Sequence, residues 1–456
     1  MKMKEKTKTM LIVLGIVLGI PVLVLAFYVL ITNWDIEREF KDKKPHTYTL
    51  RAERGRILDY DGKVLAFTDT LYDIHFDCMA YLSHGRDTSR WLLEIDELAP
   101  GLAEMLPQRD SAGWFNYIND GRIEGKRYLS IASGLSEDQV QKIKTLPMFN
   151  LPTYQGGGII EPRYRRNYPF GTLARRTIGY YKNDTLRYGM EGHFDYLLYG
   201  RDGSKVVRYG RYEGRDIQKV DRCISPQNGY DLVTTLSMDL SSKADSILRG
   251  ALLKEKDIES GCLVLMDVKT GAIRAMTNLT KTEDGAFELS NLAIGRVYEP
   301  ASLSHAMTYA ALLSDGYIHS MADSIPTNHG HIPGLFGISP DYYIIDYERI
   351  HSTNSIAIRD GFAQVSRYAA GSLANKYYGE KPQKFLEHLI RYCPELDFDL
   401  DGLSHNYFTT PNSPAWDERS LPVLSYGYDF SLTPLSILTF YNSIANKGKN
   451  DETISS

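Results

Sequence analysis

The sequence predicts an α+β chain led by a single membrane-spanning helix, and three observations carry that reading. Residues 10–31 hold no charge and are almost wholly apolar. Asp61-Gly62 lies between two apolar strand-like runs, a hairpin signal, and stretches with helical periodicity follow it. A second strand–turn–strand pattern over 262–276 then precedes an apolar run of helical spacing that ends at Leu313. A hydrophobic content of 43% and a charged content of 24% are globular values, so the chain can bury a core. Its 456 residues suggest about two to three domains. A net charge of −5 argues against nucleic acid as a partner.

At about 1.5 Å per residue, a segment over 10–32 is long enough to cross a bilayer of about 30 Å. Lys2, Lys4, Lys6 and Lys8 precede it, which puts residues 1–9 in the cytoplasm and the bulk of the chain on the far side of the plasma membrane. The run is too long for a cleaved signal peptide, and no small-x-small cleavage site follows it. Phe27, Tyr28 and Trp34 suit the membrane interface. The four cysteines, Cys78, Cys223, Cys262 and Cys393, have no metal-site spacing, and their pairing cannot be chosen from sequence. Cys262 reads as a buried small hydrophobe in a strand.

Residues 35–46 form a charged linker. The hairpin around Asp61-Gly62 comes next, and Tyr72 to Phe76 alternates like another strand. Amphipathic stretches at Trp91–Leu102 and Ser136–Leu146 read as helices. Gly171, Gly179, Gly189 and Gly192 punctuate short elements, with no phosphate-binding pattern around them. There is no internal repeat, no low-complexity tract and no ligand cluster, so neither a cofactor nor a metal is implied.

The chemistry-bearing stretch is Tyr298-Glu-Pro-Ala-Ser-Leu-Ser-His305. Pro300 suits the first turn of a helix, and Asp315-Gly316 supplies its stop. Ser302 and His305 then fall at i, i+3 on one face, with the serine in the positive end of the helix dipole. That is a seat for a nucleophile; the plainer alternative is a capping serine with a surface histidine. Ahead of it, Cys262 to Asp267 and Ala272 to Met276 read as a hairpin whose turn spells Lys269-Thr270-Gly271.

Taken in order, these motifs resemble the class B penicillin-binding proteins, the membrane-anchored peptidoglycan D,D-transpeptidases, and their septal (cell-division) branch most. Arg54-Gly-Arg-Ile-Leu-Asp59 with Asp61-Gly-Lys-Val-Leu-Ala66 is similar to the first motif of their pedestal domain. Tyr168-Pro-Phe-Gly171 with Gly189-Met-Glu-Gly192 is similar to the second. Asp231-Leu-Val-Thr-Thr-Leu236 looks like the strand leading into the transpeptidase domain. The resemblance implies a dimerisation-type pedestal over 33–228 and a transpeptidase domain over 229–456. Penicillin-recognising enzymes use Ser-x-x-Lys, Ser-x-Asn and Lys-Thr-Gly in chain order. Glu299-Pro-Ala-Ser302 matches the nucleophile motif, with His305 at the lysine position. His351-Ser-Thr-Asn354 matches the second, which implies Ser352 and Asn354 as proton relay and substrate clamp. The implied partners are peptidoglycan stem peptides, β-lactams, a membrane glycosyltransferase and other divisome proteins, with the lipid bilayer held through 10–32.

Two departures bear on activity. His305 is shorter than lysine and ordinarily neutral near pH 7, so it lacks lysine's positive field beside Ser302. The segment Leu421-Pro to Gly448 resembles the helix before the third motif, with Thr433 as cap and Pro434 at its start. After it no Lys-Thr-Gly follows, and the tripeptide at 269–271 lies on the wrong side of the nucleophile. The expectation is a truncated transpeptidase domain, reduced to one hairpin under helices, with impaired acyl transfer. A catalytically silent membrane-anchored scaffold and a non-functional truncated product are the alternatives.

Overall fold

The computed structural model describes residues 24, 27–30, 32–80, 87–182, 186–212, 215–327, 354–396, 400 and 402–448. The expected membrane segment, 10–32, lies mostly outside them. Among the described residues no helix is long and apolar enough to cross a membrane. The chain divides into two compact units, 1–55 with 196–231 and 56–195 with 232–456.

The first unit is built on an antiparallel sheet of His46–Leu50, Gly203–Tyr212 and Arg215–Ile224, with the middle segment in the centre. Arg208 pairs with Asp221 across the ribbon at 2.9 Å, and the hydroxyls of Tyr48 and Tyr209 meet at 3.0 Å.

In the second unit the strand Val64–Phe76 is central. The tight turn at Gly62, where φ is +84°, folds it back on Ile57–Leu58. Asp59 fixes that turn by accepting from the N–H groups of Asp61 and Lys63 at 2.9 and 2.8 Å. Tyr72–Phe76, expected as a separate strand, is the end of this one. The polar Thr68-Asp-Thr70 interrupts the apolar alternation but not the backbone, which pairs with Gly158–Asn167 from Phe67 to Phe76. Leu129–Leu135 pairs on the other side. Helices Thr88–Met105 and Ser111–Ile123 cover the sheet, capped by Asp87 and Asp110. They bury Trp91, Ile95, Trp114 and Ile118 against Ile74 and Phe76. Both expected amphipathic helices are present; Ser136 and Gln139 form a capping box at the second, Glu137–Ile143.

The later part of this unit has a sheet and a helical lobe. Helix Met238–Lys254 packs on the antiparallel strands Ser260–Met266 and Ile273–Thr282, and Gly285–Phe287 adds a short third strand to the expected hairpin. The turn at Lys269-Thr270-Gly271 is a turn and no more: Asp267 Oδ1 accepts from both following N–H groups and from the Thr270 hydroxyl, and Gly271 takes φ +68°. Ser260–Met266 is an edge strand, so Cys262 is half-buried rather than buried and Leu265 is 42% exposed. All four cysteines are free. The helical lobe gathers His305–Ser314, Arg367–Tyr378, Pro382–Tyr392 and Pro434–Ala445 around Met307, Leu312, Leu373, Phe385, Leu389 and Phe440.

Candidate functional site

Ser302 lies in the last strained turn before the buried helix of this lobe. The sequence predicts one α-helix from Pro300. The structure instead has a 3₁₀ turn, Ala301–Ser304, followed by the α-helix His305–Ser314. The break has a local cause. Ala301 adopts φ +48°, a left-handed conformation that costs an alanine on the order of 1–3 kcal/mol and that no α-helix continues through. The surroundings enforce it. Ala301 N donates to Gly427 O at 2.8 Å, and Gly427 packs so closely that an added Cβ would lie 1.9 Å from Ala301 O.

This arrangement separates the two expected neighbours. Ser302 is exposed, whereas His305 is 2% exposed. The His305 ring turns back on the main chain, with Nδ1 3.1 Å from the carbonyl oxygen of Ser302. A carbonyl only accepts, so Nδ1 carries a proton in this contact. The surface histidine of the plainer reading is excluded by this burial, and so is a face shared equally by both side chains.

The segment 425–432 holds the turn from the outside. Tyr298 and Leu432 exchange two backbone hydrogen bonds of 2.9 Å. Asp429 N donates to Glu299 Oε1 at 3.2 Å, and the Asp429 carboxyl is raised by burial and by Glu299 beside it. Thr308 Oγ1 donates to Ser425 O at 2.6 Å, and Tyr441 OH to Leu303 O at 2.7 Å. The helix carrying Tyr441 begins as expected: Thr433 Oγ1 accepts from Ser436 N, Pro434 follows, and Gly448 takes φ +79° beyond its end. These braces were not legible in the sequence, because they act through main-chain groups of a loop more than a hundred residues away.

The second motif is only half visible. His351, Ser352 and Thr353 lie outside the described residues. Asn354 is exposed at the start of the short strand Ser355–Ala357, which pairs with Ser324–Pro326, and its carbonyl accepts from Thr327 N at 3.2 Å. Of the expected site residues, His305 thus touches Ser302 through the main-chain carbonyl, and Asn354 heads the strand Ser355–Ala357.

The lobe carries a second polar centre at the far end of the serine-bearing helix. Asp315 Oδ2 accepts from Tyr378 OH at 2.7 Å and from His388 Nε2 at 2.9 Å, and Lys384 Nζ lies 3.1 Å from Oδ1. Burial raises the Asp315 carboxyl, but these donors outweigh it and hold it below the ordinary range. Positive and donor groups at a helix C-terminus complement its dipole. Elsewhere in the unit, Arg166 and Glu191 form a buried pair at 2.6 Å, with side chains 3% and 0% exposed. Among the described residues no group of three or more His, Cys, Asp or Glu is arranged to hold a metal.

Known proteins agree with this architecture. Residues 49–234 match the penicillin-binding protein dimerisation domain and residues 261–452 the penicillin-binding protein transpeptidase domain. The chain is 24% identical over 417 residues to a probable peptidoglycan D,D-transpeptidase PenA of Neisseria gonorrhoeae, covering 88% of this chain and 64% of that one. It is 25% identical over 334 residues to the peptidoglycan D,D-transpeptidase FtsI of Escherichia coli, covering 71% and 52%. It therefore spans less than two thirds of the length of these relatives. In fold it resembles penicillin-binding protein 2X of Streptococcus thermophilus, with a TM-score of 0.68, 20% identity, and 88% and 60% coverage. It also resembles the penicillin-binding protein of a PBP2–MreC complex from Helicobacter pylori, with a TM-score of 0.60, 14% identity, and 89% and 77% coverage. With both domains matched in order over most of its length, the chain belongs to the class B penicillin-binding proteins.

Proposed function

We propose that this protein acts in peptidoglycan synthesis as a D,D-transpeptidase of slow turnover, with Ser302 as the acylating nucleophile. The observation that carries this is the Ser302 turn: an exposed hydroxyl held on a strained, externally braced bend at the head of a buried helix. In the reaction, Ser302 Oγ attacks the carbonyl between the two terminal D-alanines of a stem peptide and loses its proton to a base. The C-terminal D-alanine leaves, and the amine of a second stem peptide then displaces the serine to form the cross-link. β-Lactams acylate the same hydroxyl.

His305 stands where the family places its lysine, and its geometry argues for slow chemistry. Nδ1 is committed to the Ser302 carbonyl, so any base role falls to Nε2 of a deeply buried ring. General-base catalysis contributes typically 10²–10⁴-fold, and that is the factor at stake. The same observation favours a second reading, a binding protein that keeps the fold and partners without turnover. Ser352 and Asn354 are assigned here as relay and clamp by their motif alone.

We assign the pedestal to 33–228 and the transpeptidase domain to 229–456, in keeping with the two family matches. Residues 10–32 serve as a single-pass anchor, with the domains outside the cytoplasm. A membrane glycosyltransferase and divisome proteins are the proposed partners; that one solved structural neighbour is a complex of PBP2 with MreC supports a protein partner of some kind. The test is release of D-alanine from a pentapeptide donor in the presence of an amine acceptor. Slow release that Ser302→Ala abolishes is expected. No release above the Ser302→Ala background would leave the binding reading.

A further inference from the structure

The edge strand Ser260–Met266 is seven residues without a charge or a proline, and among the described residues nothing pairs with its outer side. Lys281 N donates to Glu259 O at 2.7 Å, which sets the alternation of the ladder. Gly261, Leu263 and Leu265 therefore exchange their bonds with Ile273–Thr282, and Ser260, Cys262 and Val264 turn their N–H and C=O groups outward. An added Cβ on Gly261 would lie 3.3 Å from Leu248 Cδ1, so Gly261, Leu263 and Leu265 face the helix Met238–Lys254. That helix sends Arg249 toward the third strand, where its guanidinium donates to Ala286 O. Its opposite flank carries Leu240, Ile247 and Ala251 at i, i+7 and i+11, all exposed and on the side of the open edge. Edge and flank form one uncovered apolar shelf. The strand itself has none of the charges or prolines that blunt an edge.

We propose that this shelf binds a second copy of the chain, edge to edge and antiparallel about a two-fold axis at Leu263. The strand complements itself in that register. Leu265 falls opposite Gly261 of the second copy, a large side chain over an absent one, and Cys262 and Val264 exchange main-chain hydrogen bonds. Charge selects the antiparallel sense. Asp257 and Glu259 immediately precede the strand and Lys269 follows it, all exposed, so antiparallel pairing brings each acidic start to the other copy's basic turn. Asp267 at that turn is engaged by its own Lys269 N, Thr270 N and Thr270 hydroxyl. The axis also sets the Leu240–Ile247–Ala251 flanks of both helices on one face, toward each other. Two three-stranded sheets become one of six strands. The pairing does not depend on the acyl-transfer reading.

The test is sedimentation velocity of the full chain in detergent, joined to disulfide mapping. A concentration-dependent dimer is expected at micromolar protein. Leu265→Lys and Ile247→Lys, both at exposed positions, should each weaken it by at least about tenfold with circular dichroism unchanged. In a Cys223→Ser, Cys262→Ser background, Leu263→Cys should link to itself under mild oxidation. The axis places the two 263 side chains opposite each other in a non-hydrogen-bonded pair, with Cα atoms about 4.5 Å apart. Leu265→Cys should not link. A wild-type chain that stays monomeric overturns the proposal. So does a dimer that both lysine variants leave intact, which places the contact elsewhere, and so does self-linkage at 265 without 263. Should a lysine variant fail to fold, the linkage pattern decides alone.

Discussion

The sheet and the helical lobe that carries Ser302 are held together differently. In the sheet only the central strand Ile273–Thr282 is deeply buried, and the edge strand leaves Leu265 42% exposed. In the lobe the serine-bearing helix buries Met307, Tyr309, Ala311 and Leu312 to 3% exposure or less, and two polar anchors fix its ends. The lesson is that Ser302 rests on helices and on the 425–432 loop rather than on the strands of the sheet.

The largest expected effect is at the brace. Gly427→Ala puts a Cβ 1.9 Å from Ala301 O at a position with φ +99°, and relief requires moving the main chain. A loss of more than about 4 kcal/mol is expected in the lobe, with penicillin acylation abolished. Limited proteolysis across 421–433 reads it; a variant with unchanged cleavage and labelling would dissolve the comparison.

Next comes a paired substitution. Leu312→Ala should cost roughly 3 kcal/mol, whereas Leu265→Ala should cost less than about 1 kcal/mol. Hydrogen exchange of the amides of 305–314 and 260–266 separates the two. Equal losses would mean that one core, not two, supports the site.

A pH dependence is expected on the sheet side. Glu288 accepts from the main-chain N–H groups of Arg176 and Asn278 at 2.9 and 3.1 Å, and burial pushes its carboxyl up to about 7 against their pull. Its folded pKa is raised, so its contribution is full below the unfolded value near 4.5 and is lost as pH rises through about 7. The span is on the order of 3 kcal/mol. Melting temperature should fall between those pH values, and Glu288→Gln should flatten the decline.

Much of this organisation was legible in the sequence. Asp61-Gly62, the amphipathic pattern of Ser136–Leu146 and the Thr433-Pro434 start are local signals, and each produced the element expected. What escaped were features imposed from a distance. Ala301 looks like an ordinary helix former, yet the loop at Gly427 forces it left-handed. Asp315 reads in the sequence only as part of a helix stop, yet tertiary packing gives its carboxylate three donors. His305 fits a helical i, i+3 pair with Ser302, and in the structure its ring meets the Ser302 main-chain carbonyl. Ser352 fell outside the described residues, so its pairing with Asn354 stays a proposal.

The smallest effect tests that strain. Ala301→Gly relieves a left-handed alanine and should stabilise the turn by about 1 kcal/mol, read as slower exchange of the 301–304 amides. Faster exchange would mean the turn is not strained.

Peptide mapping by mass spectrometry after exposure to benzylpenicillin tests the central claim most directly. A single slowly formed penicilloyl adduct on Ser302, absent from Ser302→Ala, is the expected result. An adduct on any other residue, or none after prolonged exposure of folded protein, would contradict the assignment of Ser302 as the acylated nucleophile.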